Sequence, residues 1–446
     1  MRVNLHGGSN HLIEIQDILN AREDPLIKSN SMLLLGHPTG NSFCRYAAKA
    51  FHEAGWLQEF HSCICWDPNN GFARWLPQSI TEQLGRRAFQ EVPLELQHSH
   101  PWRELARLVP PRWPLLQQHE TGPLSVDGVF RSFDRRIAQR LGQLVGLQGV
   151  YLYEDAALFS FRKAEKLGVE RIYDLPIGHW RAARQIFAEE RELMPEWAPT
   201  LTGLKDSPAK LARKDEELAL ASLVVVPSTY VRTTLINSGI DEARIRVVPF
   251  GSPPPTRIDI DYSSNKDRPL RVLYVGSLGQ RKGLAYALEA ISTLGSKVSL
   301  TLIGRPTAKD CMPLMKALEQ HEWIPSLPHH QILEQMRRHD VLLFPTLFDG
   351  FGLVMTEALS QGLPVITTSH SGAAECIRNG VEGFVVPIRN SQAIAEQLQR
   401  LADDRDLLAK MREACLHRAA ELSWQSYEAE LRVAVGEHIN AGSNAA

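Results

Sequence analysis

Cysteine is scarce in this sequence: six residues in 446, with only Cys63 and Cys65 close together. That spacing fits neither a zinc site nor a paired disulfide framework, so reduced thiols in a cytoplasm are expected. Net charge is nearly absent too. The 49 Lys and Arg residues against 51 Asp and Glu give −2, and no broad basic field points to nucleic acid. No apolar run approaches the roughly 18 residues that cross a bilayer. The opening MRVNLHGGSNHLIEIQ lacks the apolar centre of a signal peptide. The expected setting is cytoplasmic, with peripheral contact at the inner face of a membrane left open. There is no internal repeat, and no low-complexity segment beyond the small polar tail after Ile439.

What the chain does have is length and alternation. At 446 residues it exceeds one ordinary domain, and two of about 200 residues are the natural division. A hydrophobic share of 43% suffices for a core in each. Short apolar strands alternate with helical patterns, at 31–35, 150–153, 171–173, 223–226 and 245–249, then at 270–275, 298–303, 341–344 and 364–367. Such alternation predicts three-layer parallel α/β domains. Residues 252–269, SPPPTRIDIDYSSNKDRP, interrupt it as a Pro- and Ser-rich linker. The expected organisation is a first domain over 1–252, a linker over 253–269, a second domain over 270–422, and a last helix with a tail over 423–446. Asp259-Ile260-Asp261 has the spacing of a metal motif but lies in the linker, with no cleft-like loop after it. No metal and no cofactor are expected.

The organising stretch is 344–387. A strand over 341–344 leads into a turn on Asp349-Gly350-Phe351-Gly352, then a helix from Leu353 stopped by Gly362. Strand, glycine-rich turn and helix N-terminus form a cradle for anions and sugars, because the glycines let backbone N–H groups approach a ligand. Asp349 and Glu357 flank this nest, and two carboxylates there suit a ligand with many hydroxyls. A second loop, Gly276-Ser277-Leu278-Gly279-Gln280-Arg281-Lys282-Gly283, joins the strand over 270–275 to a helix over 284–294. It does not match a P-loop. Two cations at a helix start are unfavourable unless an anion sits there. A third loop, Gly36-His37-Pro38-Thr39-Gly40-Asn41, has the same strand–loop–helix form, with Gly40 suited to close approach and His37 to orienting a hydroxyl. Residues 56–145 are the least readable, with tryptophans and arginines interleaved. The plain reading places the tryptophans in the core and the arginines in solvent; the alternatives are an acceptor-facing insertion or contact with anionic lipid head groups.

The stretch 344–387 resembles the signature of glycosyltransferase family 4, the retaining nucleotide-sugar transferases of GT-B fold. That signature has two Glu residues flanking Gly-Phe-Gly, the second followed by Ala. Here Glu357-Ala358 matches, and Asp349 stands one methylene short of the first Glu. The loop 276–283 resembles the family's diphosphate loop, although Ser277 stands where the family commonly has Arg. The likeness covers most of the chain and is specific over 272–386. It implies two Rossmann-like domains facing a cleft, with the last helix crossing back to the first.

The implied donor site comprises Gly276, Ser277, Arg281, Lys282, Gly304, Ile324, Asp349, Gly350, Phe351, Gly352, Leu353 and Glu357. In it Arg281 and Lys282 grip a diphosphate, Glu357 takes the ribose, Asp349 takes sugar hydroxyls and the Ile324 backbone meets the base. The implied acceptor side comprises His37, Gly40, Asn41, Asp174 and His179, with His179 as a sugar contact or proton relay. Gly372 and Glu375 resemble a further Gly-x-x-Glu segment. The implied function is a metal-independent retaining glycosyltransferase whose partners are a nucleotide sugar and a glycan or lipid-linked acceptor. Another GT-B chemistry, an epimerase-hydrolase or a phosphorylase, and a non-catalytic sugar-nucleotide-binding protein remain alternatives. Oligomeric state is open.

Overall fold

The computed structural model describes residues 32–69, 81, 84–108, 113–257 and 268–445. Asp259-Ile260-Asp261 and the centre of the expected linker lie outside the described residues. The chain divides into two compact units. The first comprises residues up to Asp174, Glu216–Leu223 and the chain from Glu428; the second comprises Leu175–Asp215 and Val224–Tyr427. This division differs from the expected boundary at the linker. The segment after Asp174 buries Trp197 in the same core as Leu270, Val272 and Tyr274, and clusters Phe187 and Leu201 with Phe348, so it packs as part of the second unit. Sheet membership does change between 248 and 269.

The first sheet contains β1 (Leu33–Gly36), β2 (Leu57–Ser62), β3 (Gln97–Ser99), β4 (Gly149–Tyr153), β5 (Glu170–Asp174), β6 (Leu223–Val226) and β7 (Ile245–Val247), in the order β3-β2-β1-β4-β5-β6-β7. Runs such as LLLG and GVYLY are apolar throughout because both faces of a parallel sheet are covered. In the first unit, β1 lies between β2 and β4, with Leu34 opposite Glu59 on one side and Val150 on the other. The last helix, Trp424–Ala445, begins in the second unit and ends in the first. Its first turn sets Trp424 and Tyr427 against Phe250. From Glu428 onward it is held by Lys49, whose Nζ lies 2.7 Å from the Glu428 carboxylate, by Trp56 against Gly436, and by His438 on Glu170 at 2.8 Å.

The second sheet contains β8 (Leu270–Val275), β9 (Val298–Ile303), β10 (Glu322–Ile324), β11 (Val341–Phe344), β12 (Val365–Thr368) and β13 (Gly383–Val386), in the order β10-β9-β8-β11-β12-β13. Its strand pairs are parallel. The order reverses between β8 and β11. In an open parallel sheet, ligands bind at the carboxyl ends of the strands on either side of such a reversal. The loops that leave β8 and β11 are the two glycine loops singled out above.

Candidate active site

Packing between the two loops fixes their geometry. Gly283 closes the first with φ +69°, and a Cβ there would lie 1.9 Å from the Pro345 carbonyl oxygen, so only glycine lets this loop rest on the end of β11. Gly276 and Gly304 meet backbone to backbone at the ends of β8 and β9. The Gly276 N–H donates to the Ile303 carbonyl at 2.9 Å, and the Gly304 N–H to the Ile324 carbonyl at 3.0 Å. Of the Ile324 backbone expected to meet a base, the carbonyl accepts this strand-end hydrogen bond. Ser277 is half-buried in the loop.

Arg281 and Lys282 both reach the loop after β11. Arg281 Nη1 donates to the Phe348 carbonyl at 3.0 Å and lies 3.7 Å from Asp349 Oδ1. Lys282 Nζ pairs with Asp349 Oδ2 and sits over the Phe344 ring, 4.5 Å from its centroid. Burial pushes the Lys282 ammonium down to about 8, and Asp349 only partly opposes this. Burial also pushes the Asp349 carboxyl up, but Lys282 and Arg281 together outweigh it and hold it below its ordinary value. Two cations thus converge on one carboxylate at the ends of β8 and β11. An anionic ligand could take that carboxylate's place.

The turn after Asp349 is locked from below. The Ser228 hydroxyl donates to the Gly350 carbonyl at 2.8 Å, and a Cβ at Gly350 would lie 1.8 Å from the Pro176 carbonyl oxygen. Phe351 is buried against Phe250 with ring centroids 5.2 Å apart, and Gly352 precedes the helix Leu353–Ser360, on which Leu353 is half-buried. Glu357 on that helix accepts from His329 Nε2 at 2.9 Å, and this bond raises the pKa of the largely exposed imidazole. Glu375 does not cap its own segment. Its carboxylate accepts from the Thr229 and Tyr230 N–H groups at 3.1 and 2.9 Å, serving the N-terminus of the helix Thr229–Ile236.

His179 lies in the second unit, in the loop whose Gly178 abuts Phe348. It is buried and caps the helix Trp180–Leu193, its Nδ1 accepting from the Arg181 N–H at 3.2 Å. Burial, with Arg181 adding to it, pushes its pKa down to about 4. That shift favours the neutral imidazole. The same helix carries Glu190, which sequence reasoning missed. Glu190 is fully buried and accepts from Gln280 Nε2 at 2.6 Å, Tyr286 OH at 2.9 Å and Arg389 Nε at 2.8 Å. Gln280 in turn caps the helix Leu284–Leu294 through Oε1 to the Ala285 N–H at 2.9 Å. Glu190 therefore positions the loop that carries Arg281 and Lys282. Its surroundings, AEERE, read as a solvated run, and no signal in the sequence marks it.

The remaining expected residues lie in the first unit. His37 Nδ1 accepts from the Thr39 and Gly40 N–H groups at 3.0 and 2.7 Å, and burial pushes its pKa down to about 3. Gly40, with φ +63°, makes room for the Phe89 ring, which a Cβ would meet at 2.2 Å, so a side chain rather than a ligand makes the close approach. Asn41 caps the helix Ser42–Glu53. Asp174 is fully buried and accepts from Tyr151 OH at 2.6 Å; burial pushes its pKa up to about 7. The tryptophans of 56–145 are not all in the core as the plain reading held. Trp56 is 1% exposed, but Trp102, at the start of the helix Trp102–Leu108, is 81% and Trp113 56% exposed. Among the described residues of this unit, Glu59, His61 and His98 have metal-ligand spacing. Arg140 already engages both Glu59 oxygens at 3.0–3.1 Å through Nε, so the group is held by an ion pair.

Residues 257–418 match the family described as "Glycosyl transferases group 1". The chain is 27% identical over 201 residues to a glycogen synthase of Mycobacterium tuberculosis, covering 43% of this chain and 45% of that protein. It is 30% identical over 181 residues to the amylovoran biosynthesis glycosyltransferase AmsK of Erwinia amylovora, covering 38% and 44%. The chain thus spans less than half the length of these curated relatives. Among solved structures it resembles sucrose-phosphate synthase from Thermosynechococcus elongatus, with TM-score 0.61 and 16% identity over 93% of this chain and 100% of that one. It also resembles Anabaena HepE in complex with UDP-glucose, with TM-score 0.58 and 15% identity over 91% and 99%. Identities this low speak for the fold alone. Residues 257–418 thus resemble the group 1 glycosyl transferases, and the two parallel sheets of the chain are those of the GT-B fold.

Proposed function

We propose that this protein is a retaining glycosyltransferase that moves a sugar from a nucleoside diphosphate sugar to an acceptor hydroxyl. The observation that carries this reading is the convergence of Arg281 and Lys282 on Asp349 at the strand reversal. On donor binding the diphosphate replaces Asp349 as the partner of the two cations. Asp349 then accepts from sugar hydroxyls, and Glu357 from the ribose. As the glycosidic bond breaks, charge grows on the departing diphosphate. Two cations in a desolvated site stabilise that charge before it forms, so the reading needs no metal ion. Attack from the face the diphosphate leaves gives retention. The acceptor hydroxyl belongs to a glycan, a lipid-linked glycan or a small molecule. Among the described residues no helix is long and apolar enough to cross a membrane.

Thermal-shift binding with UDP, GDP, ADP and dTDP, free and as sugar conjugates, tests the donor site. A nucleotide at a hundred times its Kd adds about 2.7 kcal/mol to stability. We expect one base to produce that shift, the shift to vanish in the Arg281→Ala/Lys282→Ala variant, and Lys282→Ala to lower turnover by about 10²–10³-fold. No shift with any nucleotide, or unchanged turnover in a folded Lys282→Ala protein, would sink the assignment.

A further inference from the structure

The first unit has a pocket of its own, a cavity of about 300 Å³ at the ends of β2 and β3. Cys63, Ser99 and His100 line it at the ends of those strands, and Trp102, Arg103 and Arg136 close it. The His100 N–H donates to the Ser62 and Cys63 carbonyls at 3.0 and 3.1 Å, which folds the chain over the end of β2. The Cys63 N–H donates to the Pro38 carbonyl at 3.1 Å, so the pocket shares a strand-end rim with the His37 loop. That rim is where ligands of open parallel sheets bind.

The lining is basic without compensation. Among the described residues, no Asp or Glu lines the pocket. Neither Arg103 nor Arg136 pairs with a carboxylate among the described residues; Arg103 donates only to the Pro123 carbonyl, at 3.2 Å. Glu104 beside them is buried and already held by Arg87 and Arg107 at 2.9 and 2.7 Å. Burial, with His61 and Arg136 adding to it, pushes His100 down to about 4, so the charge at neutral pH belongs to the two arginines. Trp102, 81% exposed, offers a large aromatic face to the same space.

We propose that this pocket binds a pyranose carrying an oxyanion, a hexose phosphate or a hexuronate, as part of the acceptor. The inference rests on the glycosyltransferase reading. Guanidinium groups match oxyanions in paired hydrogen bonds, while an aromatic face covers the apolar face of a sugar ring. The Ser99 hydroxyl is engaged within the fold, donating to the Cys63 carbonyl and accepting from the Cys65 N–H, both at 3.2 Å, so it shapes the pocket wall.

Calorimetric titration of the full chain with glucose 6-phosphate, glucuronate, glucose and inorganic phosphate is the test. We expect at least one anionic sugar to bind tenfold more tightly than both glucose and phosphate, with the better one telling a phosphate from a carboxylate. Arg103→Ala/Arg136→Ala should weaken that binding at least tenfold, and Trp102→Ala should weaken it too. All three residues are exposed, so the variants should keep the wild-type melting curve and nucleotide affinity. The inference fails if no anionic sugar outbinds glucose, if phosphate alone binds as well as the sugar phosphate, or if the variants bind like wild type. Nucleotide binding without anionic-sugar binding sinks this inference alone. Anionic-sugar binding without nucleotide binding sinks the transferase reading instead.

Discussion

Lys282 and Asp349 are buried together, and each lowers the cost of leaving the other charged in a desolvated place. Removing either would strand its partner. Because burial pushes Lys282 down to about 8, below its ordinary 10.5, the neutral amine gains ground above that pH. The unfolded chain holds its lysine proton through the interval between these values. The burial cost is therefore felt below about pH 8 and is relieved as pH rises toward 10.5. Nucleotide binding runs the other way, since a diphosphate needs the charged form. Nucleotide Kd should rise up to tenfold per pH unit above about 8 in the wild type and stay flat in Lys282→Arg. Calorimetric titration from pH 7 to 10 reads this, and a flat wild-type profile would remove Lys282 from the anion site. Lys282 was legible in the sequence because cations at a helix start need an anion. His179 was only half legible. Its place beside the site could be expected, but its neutral, helix-capping state depends on burial by residues distant in sequence.

Among the elements, the helix Trp180–Leu193 acts as a strut within the second unit. His179 caps one end, and Glu190 near the other braces the Gly276–Gly283 loop through Gln280. Breaking a buried charge cluster by removing one member costs about 3–5 kcal/mol. Glu190→Ala should lose about that much in urea unfolding and weaken nucleotide binding as well, because the loop bearing Arg281 and Lys282 loses its brace. Glu190→Gln keeps the Gln280 and Tyr286 contacts and should lose less. Equal nucleotide affinity in folded Glu190→Ala would make Glu190 a matter of stability only. This helix went unread because half of its sequence, WRAARQIFAEEREL, is polar, and its burial depends on the second sheet. Strand β2 was missed for a similar reason. LQEFHS carries Glu59 and His61 into the interior, which is tolerable only because Arg140 and His100 reach them from other elements.

On the scale of the whole molecule, the chain returns to its first unit through the last helix. There Gly436 faces Trp56, and a Cβ would lie 3.0 Å from the indole. Gly436→Val should overpack that contact and cost about 1–3 kcal/mol in urea unfolding, with nucleotide affinity unchanged. A shift in nucleotide Kd would show that the first unit's packing reaches the donor loops. The parallel α/β class, the two sheets, and the glycine loops with Arg281, Lys282, Asp349 and Glu357 are readable from the chain alone. All of these follow from local pattern: apolar runs, turn glycines and charges adjacent in the chain. That Asp349 holds both cations, that Glu190 braces their loop, that residues 175–215 pack with the second unit, and that Trp102, Arg103 and Arg136 share a pocket emerges only once the chain is folded. Those facts depend on which side chains, far apart in the sequence, are buried against one another, and burial is set by packing rather than by any local pattern.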